Sequence, residues 1–302
     1  MTRATSALTL FALAAWTSPR ATAAQGRAES GFPFDPMQAR AIGLGGAGAA
    51  LRSPPFYYLN PAALADNRGA ELDHRTSPLG TRDYAISLGH GGRWGALRIT
   101  ARRRDWGELA QDLGLSGVTA GERSVSLAFA RKGFQQRVAW GFSVGRLDAD
   151  YVGARTGTWS LDLGTQARVG GGLAVGLALL HAGRGFATEA GRAPLPTRIR
   201  PGAAWEGQLG KVRLVSAVDV AVPVRTGAGV DMNTGVEVSG TWGSASAASR
   251  VGYRSIANPD GSRQGSWALG GGVTLGPLGV DIAYTFGLVF GNERFTSLVV
   301  RW

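Results

Sequence analysis

From residue 70 onward the sequence alternates bulky apolar residues with small or polar ones, with a period of two. In residues 138–145, valine, tryptophan and phenylalanine occupy one set of positions, and alanine, glycine and serine occupy the other. The same alternation recurs in residues 159–164, 212–222 and 280–287. Because successive side chains of a strand point to opposite faces, this pattern predicts β-strands with one bulky face and one thin face.

The composition of the thin face favours one all-β architecture. A water-soluble sandwich, which is the alternative, buries bulky residues between two sheets and turns polar residues outward. Here the thin face is mostly glycine, alanine and serine; glycine makes up 47 of 302 residues, and charged residues only 18%. Bulky residues facing lipid and small residues facing a lumen are typical of membrane barrels. We therefore predict an all-β fold, a transmembrane antiparallel β-barrel.

Turn residues divide residues 70–302 into about fourteen strands, or roughly 17 residues per strand and connection, which allows spans of ~9–11 residues. Twelve strands is the alternative. The longer connections, 105–121 and 185–196, are expected on the extracellular side. The strands are predicted to begin near Glu71, Asp83, Arg93, Glu122, Gln136, Thr156, Gly172, Thr197, Lys211, Asp231, Ser244, Gln264, Leu278 and Glu293.

The N-terminus has the pattern of a secretory signal peptide. Arg3 precedes an apolar run at 7–16, and Ala21-Thr22-Ala23 offers a small-residue cleavage site. Ten apolar residues are fewer than the ~20 that a membrane helix needs. We expect a signal peptide at 1–23, an N-terminal plug segment at 24–69 and an outer-membrane barrel at 70–302. The predicted location is the outer membrane of a Gram-negative envelope.

The charge of the chain indicates its partners. The formal net charge is +11, and nearly all of it is arginine. On an exported chain this favours anionic lipid headgroups over nucleic acid, so we expect outer-membrane lipids and no nucleic acid as partners. An aromatic girdle at headgroup level is predicted from Trp94, Trp140, Trp159, Trp205, Trp242 and Trp267. The alternating end resembles the signal read by the outer-membrane barrel assembly machinery, through Leu298, Val300 and Trp302.

Residues 39–65 read ARAIGLGGAGAALRSPPFYYLNPAALA. This stretch resembles the N-terminal segment of the PorV/PorQ family, within the broader FadL-like group of outer-membrane proteins. Weaker similarities follow at 195–205, 250–254, 270–272 and 281–284. The plug motif that carries the resemblance consists of Gly43, Gly45, Gly46, Ala47, Tyr57, Tyr58, Asn60, Pro61 and Ala62.

The resemblance implies a non-enzymatic barrel with one of two roles. In one, the plugged barrel passes or holds a hydrophobic small molecule; in the other, it serves type IX secretion as a shuttle or docking protein for secreted proteins. The sequence leaves both open. One departure is that family members commonly carry acidic residues before the aromatics, where this chain has Arg52-Ser53-Pro54-Pro55.

Other functional sites find little support in the sequence. Gly43, Gly45 and Gly48 match a dinucleotide fingerprint, but Pro54-Pro55 prevents the helix that such a site needs. We expect no cofactor, no metal site and no catalytic residues. Paired lumen charges, or alternatively a conduction path, are predicted from Asp162, Arg168, Arg213, Asp219, Glu237, Arg250, Arg254 and Asp281.

Two further alternatives remain at this level. One is a barrel enzyme of lipase or protease type, for which His90, near a predicted strand end, is the only plausible catalytic seed. The three histidines, at positions 74, 90 and 181, show no metal-ligand spacing. The other alternative is a purely structural outer-membrane protein.

Overall fold

The computed structural model describes residues 36–302 except 67, 78–79, 107–120, 152–153, 189–190, 226–228, 259–260 and 288–290. The signal-peptide prediction and the first part of the predicted plug lie outside these residues. Fourteen strands form one closed antiparallel barrel. They are β1 (Gly69–Thr76), β2 (Arg82–Gly92), β3 (Gly95–Asp105), β4 (Gly121–Gly133), β5 (Val138–Tyr151), β6 (Ala154–Gly170), β7 (Leu173–Gly183), β10 (Arg198–Leu209), β11 (Val212–Pro223), β12 (Asp231–Trp242), β13 (Ala245–Ala257), β14 (Arg263–Leu275), β15 (Leu278–Phe286) and β16 (Glu293–Val300).

The strands pair in chain order, and β1 closes the barrel against β16, from Ala70 opposite Val300 to Thr76 opposite Arg294. The exception is β7, whose neighbour is β10. Between them, β8 (Phe186–Thr188) and β9 (Gly191–Ala193) form a separate two-stranded sheet. The predicted barrel is confirmed, and each of its fourteen strands begins within two residues of the predicted position.

The two faces of the wall differ as the alternation predicts. On β5, Phe142 and Val144 are exposed on the outer surface, whereas Ala139 and Ser143 are buried on the inner face. The same division recurs on the other strands, because inner and outer positions alternate along each one. The six tryptophans predicted to form a girdle are all exposed. This arrangement excludes the two-sheet sandwich, in which bulky residues would be buried.

The two ends of the barrel carry different connections. At one end, which we call the turn end, β1 begins, β16 ends and the strands are joined by short turns such as 93–94, 171–172 and 276–277. Glycines with positive φ, such as Gly276 at 55°, allow these tight turns. The opposite loop end carries the longer connections, including 184–197.

The wall between β6 and β7 contains two irregularities that the alternation did not predict, and one of them lies near the turn end, between Arg168 and Gly170. The pairing register shifts between Leu161 and Leu163, and His181 adopts a φ of 60°. Asp162 accepts a hydrogen bond from the His181 backbone at 2.6 Å, and Thr197 donates one to the His181 carbonyl at 2.8 Å. These bonds stabilise a β-bulge near the loop end.

The described helical elements are short. They are α1 (Ala39–Gly43) and two 3-10 turns, Pro54–Phe56 and Pro61–Asp66. None of the helices in the described residues has the length and apolar character needed to cross a membrane.

Candidate functional site: the lumen and its inner segment

Residues 36–66, which we call the inner segment, lie inside the barrel. Helix α1 contacts β13, β14, β15 and β16, whereas the 3-10 turn Pro61–Asp66 contacts β3, β4, β5 and β6 on the opposite side. From residue 37 to residue 51 every residue except Arg40 is buried. The segment therefore crosses the lumen from one wall to the opposite wall. All nine residues of the predicted plug motif belong to it.

Five glycines of the wall face the inner segment and give it room to pack. At each one, an added Cβ would lie closer than 3.0 Å to an atom of the inner segment, nearer than side chains normally pack. At Gly141, for example, the Cβ would meet the Pro61 carbonyl carbon at 2.8 Å. The thin face predicted from the sequence thus has a structural reason at Gly141, Gly164, Gly176, Gly235 and Gly252.

Asp219 on β11 holds the glycine-rich part of the inner segment. Its carboxylate accepts hydrogen bonds from the backbone N–H groups of Gly48 at 2.8 Å and Ala49 at 3.0 Å. It also accepts bonds from Arg200 at 2.8 Å and from Asn233 at 3.0 Å. Arg200 in turn donates to a backbone carbonyl of the inner segment. Because the carboxylate is almost fully buried, these bonds supply the compensation that a buried charge requires.

A second buried network fixes α1. Arg40 donates two hydrogen bonds, each 2.8 Å, to the carboxylate of Glu237 on β12. Arg250 on β13 donates to the same carboxylate and to Asp281 on β15, each at 2.6 Å. Arg213 on β11 also lies 3.4 Å from the Glu237 carboxylate. The inner segment and four strands therefore share one ion-pair network, and two-point contacts of this kind also fix orientation.

Asn60 of the Asn-Pro-Ala motif ties the inner segment to itself and to the wall. Its side-chain amide donates to the carbonyls of Ala49 at 2.7 Å and Thr165 at 3.0 Å, and its oxygen accepts from the Ala62 backbone at 3.0 Å. The last bond is the short-range turn that asparagine commonly forms. Gln166 on β6 also donates to the Ala49 carbonyl, at 3.0 Å. The motif is thus a structural joint.

The two tyrosines of the motif pack against arginines of β3. The Arg98 guanidinium lies 4.8 Å from the Tyr57 ring centroid, and that of Arg102 lies 5.1 Å from Tyr58, within cation–π range. The Tyr57 hydroxyl forms a 2.9 Å hydrogen bond with Thr100. Burial raises the pKa of both phenols above the usual range, so both remain neutral at physiological pH.

Arg52, the first residue that departs from the PorV/PorQ pattern, reaches the turn end of the barrel. It donates to the carbonyls of Gln136 at 2.9 Å and Gln166 at 3.2 Å, and also to that of Arg137. Phe134, Gln135 and Gln136 in this turn have φ values of 38°, 52° and 62°. Non-glycine residues adopt this region at a cost, so Arg52 stabilises a strained turn.

The predicted lumen charges divide into three groups. Asp219, Glu237, Arg250 and Asp281 belong to the networks around the inner segment. Arg254 and Asp162 lie nearer the loop end; Arg254 faces Asp231 at 3.5 Å, and Asp162 supports the bulge. The other two, Arg168 and Arg213, lie at the turn end, where Arg213 pairs with Glu206 at 2.8 Å and also reaches Glu237 at 3.4 Å. Charged partners that sequence reasoning missed include Arg40, Glu71, Asp73, Arg98 and Arg200, which became visible only with the strand register.

We call the part of the lumen that contacts the inner segment the turn half, and the part nearer the loop end, around Asp83 and Asp231, the loop half. These two carboxylates of the loop half bind residues of the wall. Asp83 on β2 accepts hydrogen bonds from Arg75 at 3.1 Å and from Arg104 at 2.7 Å, and Arg75 also pairs with Glu293. A small apolar cluster packs under the 184–197 connection and consists of Leu147, Ala149, Phe186 and Leu195.

The described part of the chain shows no cluster of side chains suited to catalysis or to metal binding. No three histidine, aspartate or glutamate side chains lie close enough to hold a metal ion there. His90, the candidate seed of a barrel enzyme, is exposed on the outer face of β2. His74 stacks on Tyr84, with ring centroids 4.9 Å apart. A catalytic histidine needs a converging acid or nucleophile, and a position on the outer face of the wall does not supply one.

The C-terminal residues occupy the positions expected of a final barrel strand. Leu298 and Val300 point outward from β16, and Trp302 is exposed at the turn end. Recognition of these residues by assembly machinery remains a prediction.

Comparison with known proteins gives matches in fold alone. No family model and no curated protein matches the sequence. Among solved structures, the CymD monoaromatic hydrocarbon channel is similar with a TM-score of 0.61 at 15% identity, covering 90% of this chain and 99% of that chain. A FadL homologue of Pseudomonas aeruginosa gives 0.53 at 12% identity, covering 87% and 97%.

The toluene transporter TodX of Pseudomonas putida gives a TM-score of 0.50 at 12% identity, covering 87% of this chain and 96% of that chain. CymD is thus a channel and TodX a transporter, and neither is an enzyme. At such low identities the likeness concerns the fold alone. Membership of the PorV/PorQ family remains a prediction.

Proposed function

We propose that the chain is a non-enzymatic outer-membrane barrel that passes or holds a hydrophobic small molecule. The observation that carries this proposal is a closed fourteen-strand barrel whose lumen is crossed by a bonded inner segment. The exposed apolar outer surface suits lipid, because bulky residues cover the wall between the two ends. The fold shared with hydrocarbon channels supports the substrate class.

The inner segment explains why such a barrel would favour hydrophobic solutes over ions. Its backbone and side chains occupy the turn half of the lumen, where Arg40 is paired with Glu237 and Asp219 accepts a hydrogen bond from Gly48. An ion crossing the lumen there would need a continuous path of water, and forming that path would break these bonds. An apolar solute needs no such path, because it can enter the ~30 Å hydrocarbon layer of the membrane. A solute entering from the loop end would meet the polar pairs of the wall and the apolar cluster around Leu195.

The test is uptake of a labelled monoaromatic hydrocarbon into vesicles that contain the purified barrel. The vesicles enclose an apolar acceptor, and vesicles with an unrelated eight-stranded barrel provide the control. Saturable uptake that exceeds the control, together with low ion conductance, supports the proposal. Uptake equal to the control contradicts it.

Docking in type IX secretion is the second candidate function. The observation that favours it is that every residue of the PorV/PorQ-like motif is part of the bonded inner segment, as a permanently closed barrel requires. Such a barrel would act through its loop end, binding exported proteins. Co-purification of secreted proteins with wild type, lost when residues 184–197 are replaced by a short Gly-Ser linker, would support this role. Unchanged co-purification after that replacement would contradict it.

Export and assembly belong to the same proposal. The signal peptide at 1–23, delivery to the outer membrane and recognition of Trp302 by the barrel assembly machinery would place the barrel where either role operates. Sequencing the N-terminus of membrane-extracted protein tests the cleavage site directly. A mature chain that starts near residue 24 is expected, whereas an intact Met1 would contradict export by this route.

A further inference from the structure

The turn end of the barrel is surrounded by basic side chains. Seven of them have no acidic residue within ion-pair distance in the described ranges, and six of the seven are exposed. The two acidic residues at this rim, Asp66 and Glu206, are already paired, with Lys132 and Arg213 respectively. We call the seven cations the basic arc, and they are Arg68, Arg93, Arg131, Arg137, Arg168, Lys211 and Arg301.

The arc follows only part of the circumference. Its members lie at the ends of β1 to β6, in the β10–β11 turn and after β16, whereas the β12–β13 turn is Gly243-Ser244 and the β14–β15 turn is Gly276-Pro277. The loop end also carries exposed arginines with no acidic partner in the described ranges, such as Arg184 and Arg263, and Arg155 there pairs with Asp150 at 2.9 Å. The arc is therefore distinguished by its position on one side of the turn end and by the apolar side chains beside it.

Exposed apolar side chains stand next to these cations. Arg93 lies over the Trp94 ring at 5.0 Å from its centroid, and Trp94 is 68% exposed. Among the described residues, Leu209 at 85% and Phe134 at 80% are the most exposed large apolar side chains, and each is close in sequence to a cation of the arc. A water-soluble partner would have no need of this interleaving. A headgroup layer satisfies both residue types, since phosphates meet the cations and the interface accommodates aromatic rings.

We propose that the basic arc binds anionic phospholipid headgroups in the leaflet at the turn end, on the side of β1 to β11. The chemistry is that of a phosphodiester with a net negative charge, such as phosphatidylglycerol. Each cation near an anionic surface contributes a separate increment, so four removed charges should lower the local enrichment strongly. This inference rests on membrane insertion, which is part of the proposed function, but not on transport.

The experiment uses the full-length purified barrel in mixed phosphatidylcholine and phosphatidylglycerol vesicles. Polymer-bounded discs are extracted from the vesicles, and their phosphatidylglycerol fraction is compared with that of the bulk. A quadruple arc variant carries Arg93→Gln, Arg131→Gln, Arg137→Gln and Lys211→Gln. The matched control removes four exposed loop-end arginines by Arg184→Gln, Arg192→Gln, Arg225→Gln and Arg263→Gln.

Wild type and the loop-end control should both enrich phosphatidylglycerol, and raising the salt concentration should weaken the enrichment. The arc variant should lose most of it, with roughly a fivefold fall in apparent affinity per cation removed. Equal enrichment by the two variants, or none by wild type, overturns the proposal. Resistance of the vesicle-bound barrel to carbonate extraction is measured in parallel, so a failure of insertion is distinguished from a failure of lipid preference.

Discussion

The two halves of the lumen are built differently. In the turn half, wall glycines and buried charges contact a separate piece of chain, and Asp219 and Glu237 receive hydrogen bonds from the inner segment. In the loop half, charges such as Asp83 and Asp231 bind only other residues of the wall. In both halves the buried charges have partners. Only in the turn half do these partners include a segment that could leave the lumen without breaking the pairing of the strands.

Because of this difference, the stability of the barrel and its closure to ions can be changed separately. A change in the loop half should weaken the barrel without opening it, because no inner segment is released there. A change in the turn half should weaken the barrel and also open a path for ions. Planar-bilayer conductance and urea unfolding therefore report on different halves of the same molecule.

The largest effect is expected from Asp219→Ala. The change leaves Arg200 and two backbone N–H groups of the inner segment buried without their acceptor, which should cost about 3–5 kcal/mol of unfolding free energy. Asp231→Ala in the loop half is the matched control, since Asp231 is equally buried and binds only wall residues. Both variants should unfold at lower urea, but only Asp219→Ala should raise ion conductance. Equal conductance of the two variants would contradict the proposed difference between the two halves of the lumen.

The second-largest effect is expected from substitution of a wall glycine that faces the inner segment. Gly252→Val places a side chain against Leu44 and Gly45, and overpacking of this kind costs ~1–3 kcal/mol. Gly271→Val on the adjacent strand points outward, where an added Cβ meets its nearest atom at an ordinary 3.7 Å. Conductance and urea midpoints should change for the first variant and stay unchanged for the second. A neutral Gly252→Val would mean that the inner segment does not pack there.

A smaller effect is expected from Arg52→Ala. Loss of its bonds to the Gln136 and Gln166 carbonyls frees the strained β4–β5 turn, at a cost of ~1–2 kcal/mol. The expected readout is faster proteolysis after residues 134–137, measured by mass spectrometry of the fragments. Arg93→Ala, another turn-end arginine, should leave this cleavage rate unchanged. Equal rates in both variants would show that Arg52 does not hold the turn.

The smallest effect is expected from Glu293→Gln in the loop half. Its partner Arg75 keeps a second acidic partner, Asp83, so the loss should be ~1 kcal/mol or less. Neither conductance nor hydrocarbon uptake should change. Increased conductance in this variant would show that the loop half, rather than the turn half, closes the barrel to ions.

Most of the barrel could be predicted from the sequence. The alternation that gave Phe142 and Ser143 opposite faces is a local property of a strand, so it survives without knowledge of the fold. The glycine-rich inner face and the even strand number were predictable for the same reason. The hairpin of β8 and β9 was not, because strands of three residues are too short to show a period.

The contacts of the lumen were much less predictable. Asp219 could be assigned to the inner face, but its bonds to Gly48 and Arg200 depend on strand register and on the path of the inner segment, which alternation does not encode. Val215 shares the inner face with Asp219, but the alternation does not show that it packs in the core around the segment. The bulge at His181 likewise has no signal in the periodicity.

The central claim is that bulky side chains face lipid and small ones face an occupied lumen. The chain has no cysteine, so single spin labels can be placed at will in the reconstituted barrel. Labels at Leu127→Cys and Val236→Cys should collide frequently with membrane-dissolved oxygen and rarely with a water-soluble nickel complex. A label at Ser143→Cys should collide rarely with oxygen. Low oxygen collision at Leu127→Cys and Val236→Cys would contradict the account.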